Sequence, residues 1–140
     1  MSIKRELGET IGKAEILQRM LNKNSALPIK LCLDVDHGDV SSKNPLDTDP
    51  YMWIKRFGKE IPIIHIKQSL QDKSGHYPFV EPYNKEGKIV PKKLVDHLQK
   101  YGSDDTLLLL ELSFREREPF ESLVLPHLRE SVEYWKPHLF

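Results

Sequence analysis

The sequence predicts an α/β fold: a parallel sheet covered by helices. Three observations carry this. Short apolar runs alternate with helix-periodic segments in the order helix, strand, helix, strand, helix, strand, helix. The three runs are apolar almost throughout, as in strands buried on both faces. An ionisable residue sits in each run near its C-terminal end, where α/β sheets and barrels place their sites.

The elements follow from local pattern. Ile11, Ala14, Leu17, Met20 and Leu21 recur at three- and four-residue steps, with Thr10 placed to cap the helix they form. Residues 22–25 end it, and Pro28 precedes a first strand over 29–35. A turn-rich loop over 41–50 gives way to a short helix, capped by Thr48 or Asp49, with Pro50 in its first turn. Met52, Trp53 and Phe57 point inward from it, and Gly58 ends it. The second strand spans 61–67. The connection 68–88 is long and polar, but Tyr77, Phe79 and Tyr83 predict that it is ordered. Pro91 opens a helix with Leu94, Val95 and Leu98 inside, closed at Tyr101-Gly102. The third strand spans 106–112. A charged turn leads to a last helix, with Leu123, Leu125, Leu128 and Val132 expected inward and Pro126 kinking it or delaying its start.

With 140 residues, a single domain over 1–140 is expected. The 21 basic and 21 acidic side chains cancel, against a broad nucleic-acid footprint, although a local basic patch stays open. No run approaches a membrane span and no secretory segment opens the chain, so a cytoplasmic protein with no membrane partner is expected. Cys32 is the only cysteine, expected as an inert core residue.

An ionisable group inside an apolar run is costly unless paired or metal-bound. Asp34, His65 and Glu111 occupy matching positions at three strand ends. Converging carboxylate, imidazole and carboxylate would suit one divalent ion: Mn, Mg, Co or Zn. Each has another reading. Asp34 could cap a helix, His65 could be a core histidine bonded to backbone, and Glu111 could be ion-paired with Arg115 or Lys67. His37 lies just past the first strand, as a substrate group or a surface histidine. Lys67, His76, Arg115 and Arg117 lie in loops on the same side and could bind a phosphate or polyol. The Arg115-Glu116-Arg117-Glu118 run could equally be a solvated, self-paired turn. His97, His127 and His138 are expected at the surface.

Leu33-Asp34-Val35-Asp36-His37-Gly38, His65-Ile66-Lys67 and Leu110-Glu111 resemble the sugar-phosphate isomerase/epimerase superfamily, the xylose-isomerase-like (β/α)8 barrels. The stretches 39–42, 47–51 and 113–118 are similar to its branch acting on tetrulose phosphates in erythritol catabolism. The resemblance implies one metal held by two Glu, an Asp and a His. Asp34, His65 and Glu111 match three of these ligands, and His37 matches a substrate-contacting histidine. It implies a ketose or ketose-phosphate substrate and an enediolate stabilised by the metal, with Glu111 both ligand and acid/base. His37 and Lys67 would orient substrate oxygens, and Arg115 or Arg117 would hold a phosphate.

Family barrels run to roughly twice this length. The resemblance therefore implies a partial TIM barrel, its C-terminal half, with the family's first metal Glu on a strand before Met1. Such a half exposes apolar edge surface, which predicts an oligomer or association with a missing N-terminal half. The alternative function is a catalytically inactive half-barrel that binds a partner chain. An abasic-site endonuclease ranks last, for want of a basic groove and further ligands.

Overall fold

The computed structural model describes residues 7–38, 42–71, 75–114 and 121–139. In chain order these form α1 (Ile11–Asn22), β1 (Cys32–Asp34), α2 (Pro50–Phe57), β2 (Ile63–Ile66), α3 (Tyr83–Glu86), α4 (Pro91–Tyr101), β3 (Leu107–Leu110) and α5 (Val124–Leu139). The strands make one sheet of order β1-β2-β3. Residues 1–65 with 97–109 form one compact unit, and 66–96 with 110–140 a second.

The first pairing is parallel, with Cys32 opposite Ile63, Leu33 opposite Ile64 and Asp34 opposite His65. The second is parallel too. Leu107 N donates to Pro62 O at 2.9 Å, and Glu111 N to Ile66 O at 3.0 Å, so both strands advance together. Observed strands are shorter than the apolar runs. Ile29 cannot join β1, because the Asn22 side chain accepts from its N at 2.8 Å and donates to its O at 3.0 Å.

In the first unit, Leu33, Trp53, Ile54, Phe57, Ile61 and Ile64 form the core. Burial of each such side chain contributes roughly 1.5–3 kcal/mol. The Asp49 side chain caps α2 by accepting from Tyr51 N at 2.9 Å, and Gly58 ends the helix. Its buried face is Tyr51, Ile54 and Phe57 with Trp53, whereas Met52 is only half-buried. Thr10 caps α1 as expected, accepting from Lys13 N. Of the apolar face of α1, Ala14 is buried while Met20 and Leu21 are exposed.

Cys32 is exposed, contrary to its expected place in the core. In the three-residue strand only Cys32 is exposed: Leu33 turns to the core, and Asp34, on the same side as Cys32, is buried.

In the second unit, Phe79, Val80, Ile89, Leu94 and Trp135 are buried. The Trp135 ring meets Phe79 edge-on at 5.1 Å. The described residues of 68–88 carry antiparallel bridges from Gln68 to Tyr77 and from Leu70 to Gly87.

α5 differs from expectation. Leu123, Leu125 and Val132 are exposed, and the buried residues are Ser131 and Trp135. Ser131 faces inward because its hydroxyl donates to His127 O at 2.7 Å and accepts from Phe79 N at 2.9 Å. That contact rotates the leucines outward. Pro126 sits in the first turn, where no intrahelical N–H bond is lost.

A methyl group on Gly58 would meet the carbonyl group of Tyr101 and, at 2.9 Å, the Cα of Gly102. Gly58→Ala is expected to lower stability by about 1–3 kcal/mol through overpacking. Urea unfolding measures it, and an unchanged midpoint would show that these helix ends do not abut.

Candidate metal and substrate residues

In the first unit, Asp34 ends β1 and is 5% exposed. Its Oδ1 accepts from Asp36 N at 2.9 Å, and its Oδ2 lies 3.3 Å from His37 Nδ1. The register sets it beside His65, whose carbonyl accepts from Val35 N at 3.2 Å. The sequence Asp34-Val35-Asp36-His37-Gly38 thus makes a tight turn at the strand tip. Gly38 has φ 149°, and a Cβ there would collide with the backbone at Asp47 and Thr48.

Asp47 is the organising residue that the sequence did not reveal. It is buried. Its Oδ1 accepts from Ile11 N at 3.0 Å, its Oδ2 from Ser42 Oγ at 2.6 Å, and its carbonyl from Trp53 Nε1 at 2.9 Å. One carboxylate therefore ties the start of α1 to the loop under His37. Its surroundings, Asn44-Pro45-Leu46-Asp47, read only as a turn.

The second unit gathers Lys67, His76 and Glu111. Lys67 is fully buried. Its ammonium lies 2.8 Å from His76 Nε2 and donates to Glu111 Oε2 at 3.1 Å. The ion pair between Glu111 and Lys67, one of the readings of Glu111, is present. His76 reaches this position because Gln68 and Tyr77 exchange backbone bonds at 2.8 and 3.1 Å, returning the chain beside Lys67. Ser113 N donates to His76 O at 3.0 Å and fixes the other side. His76, Glu111, Leu112, Ser113 and Phe114 line a cavity of about 360 Å3.

Gln68 was also missed. Fully buried, it accepts from Ile89 N at 3.0 Å and donates to Ile89 O at 3.1 Å. A glutamine following an apolar run gives no sign of such long-range pairing.

Arg115 and Arg117 lie outside the described residues. Two histidines expected at the surface are partly buried. His97 packs between Tyr51 at 5.1 Å and Tyr101 at 6.1 Å, and the buried His127 Nδ1 has no hydrogen-bond partner. Among the described residues no helix is long and apolar enough to cross a membrane.

A structure of a candidate xylose isomerase from Rhodospirillum rubrum aligns with a TM-score of 0.76 at 23% identity, over 94% of this chain and 43% of that one. The chain has the fold of part of a xylose-isomerase-like barrel. In sequence it is similar to the D-erythrulose 1-phosphate 3-epimerase of Brucella abortus, 49% identical over 140 residues and 99% of this chain. The chain spans 45% of that relative's length. No protein-family model matches. The likeness to sugar-phosphate isomerases and epimerases, and to part of a barrel, agrees with the expectation from the sequence motifs.

Gln68→Ala would leave the buried amide and carbonyl of Ile89 without their side-chain partner. A loss of about 2–6 kcal/mol in unfolding free energy is expected, at about 1–3 kcal/mol for each of the two orphaned groups. Denaturant titration checks it, and a loss below about 0.5 kcal/mol would mean that water replaces the amide.

Proposed function

We propose that this chain supplies the metal-binding and proton-transfer part of a sugar-phosphate epimerase acting on a ketose phosphate such as D-erythrulose 1-phosphate. The observation that carries the reading is the likeness to the epimerase over nearly the whole chain, with acidic and imidazole donors at the strand tips.

Asp34, His65 and Glu111 are the proposed ligands. Carboxylate, imidazole and carboxylate are compatible with one divalent ion. The bonds to Asp34 do not exclude this, because each carboxylate oxygen has two lone pairs. When bound, the ion supplies Lewis-acid stabilisation of negative charge on the substrate oxygens.

The remaining chemistry belongs to side chains. A ketose acidifies the hydrogen on the carbon beside its carbonyl. Glu111 takes that proton as general base, leaving the electron pair delocalised onto the carbonyl oxygen; a second acid on the opposite face, the role the resemblance gives to the family's other metal-holding Glu, returns a proton to the carbon and inverts the centre. His37 and His76 donate hydrogen bonds to substrate oxygens. Arg115 or Arg117, in the sequence just after Glu111, is the proposed charge-assisted donor to the phosphate. The reaction takes place in the cytoplasm, where such metabolites occur.

A second reading, a half-barrel that pairs with another chain, is favoured by Leu107 and Leu109. Both are exposed on β3, an edge strand of the sheet.

Calorimetric titration with Mn2+ tests the ligand set. Wild type is expected to bind one ion, and Asp34→Ala and His65→Ala to bind more than about tenfold more weakly. Equal binding by all three proteins rules the set out. Incubation with D-erythrulose 1-phosphate in D2O then tests the proton transfer. Deuterium is expected at the carbon beside the carbonyl with wild type and not with Glu111→Gln.

A further inference from the structure

We propose that Lys67 is a positioning residue, not a substrate contact: its buried ammonium fixes His76 as the Nδ1–H tautomer and orients Glu111. The value of this for catalysis rests on the reading of Glu111 given above, but the geometry stands without it.

The argument begins with donors and acceptors. An ammonium has three N–H donors and no acceptor. Lys67 Nζ lies 2.8 Å from His76 Nε2, so that nitrogen must offer its lone pair. A neutral imidazole carries one proton, which is then on Nδ1. The 3.7 Å separation of His76 Nε2 from Glu111 Oε1 agrees with this. It is too long for a hydrogen bond, and an Nε2 that accepts has no proton to give. Histidine and glutamate are linked through the lysine instead.

Lys67 is also unable to serve as a mobile substrate clamp. Its side chain is 0% exposed, and withdrawing the ammonium would break its bonds to His76 Nε2 and to the half-buried Glu111 Oε2. Its backbone is held as firmly. The next residue, Gln68, is bonded in both directions to Tyr77, and Tyr77 follows His76. Strand, returning chain and ammonium together over-determine where the imidazole stands.

The tautomer sets what His76 can recognise. With Nε2 accepting from Lys67, the ring's proton lies on Nδ1, so that edge donates and can meet only an acceptor. The opposite tautomer would reverse the two ring edges. A lysine next to a strand-end histidine therefore specifies the polarity of a second histidine nine positions later in the chain.

The test reads the tautomer directly by long-range 1H–15N correlation of the imidazole nitrogens, in metal-free protein at neutral pH. His76→Gln assigns the signals. Wild type is expected to show His76 as Nδ1–H. In Lys67→Met, which keeps the length and removes every donor, the pattern is expected to move toward Nε2–H. Lys67→Arg, a donor-only replacement, is expected to restore it. An Nε2–H or imidazolium pattern in wild type overturns the proposal even if the methionine variant does not fold. So does an unchanged His76 pattern in folded Lys67→Met. Neither metal nor turnover enters this measurement, so a failure here is separate from a failure of the Mn2+ titration.

Discussion

Everything at the strand tips depends on the register of one parallel ladder. Leu33 stands opposite Ile64, both essentially inaccessible, and Asp34 stands opposite His65 on the other face. A slip of one residue would turn the leucine to the face that Asp34 now occupies and the carboxylate into the apolar core. The hydrophobic cost of that exchange holds the register, so the burial of two aliphatic side chains also aligns two polar ones. Site geometry is in this sense a by-product of core packing.

What could be read in the sequence divides along the same line. Features fixed by neighbours in the chain were legible. Thr10 caps α1, Asp49 and Pro50 start α2, Gly58 stops it, and Pro91 opens α4. Each depends on a side chain bonding or restricting backbone within about one turn. The apolar runs gave the strands and their parallel order, and the polar residues at their ends gave Asp34, His65 and Glu111 as candidates. The runs overstated strand length, because Asn22 occupies the backbone of Ile29.

Features fixed by distant partners were not legible. Asp47 and Gln68 look like loop residues until Ile11 and Ile89 are seen beside them. The inward face of α5 is set by a serine bonded to Phe79, 52 positions away, and a hydrophobic count along the helix favours the wrong face. Cys32 reads as core because its run is apolar, yet it is exposed where Leu33 and Asp34 beside it are buried. Lys67 is divided: its pairing with Glu111 is among the readings the sequence offers, but its full burial and its contact with His76 are not.

That lysine also bears on the order in which the molecule assembles. Its bond to Glu111 joins residues 44 positions apart, and the Thr106 hydroxyl reaches Ile61 across 45. Contacts of such separation carry the entropy of loop closure before they return any stabilisation, whereas the capped helices form from local bonds. The Lys67–Glu111 pair therefore closes a long loop and forms late, whereas Lys67 and His76, nine positions apart, are joined by the short return of Gln68 to Tyr77.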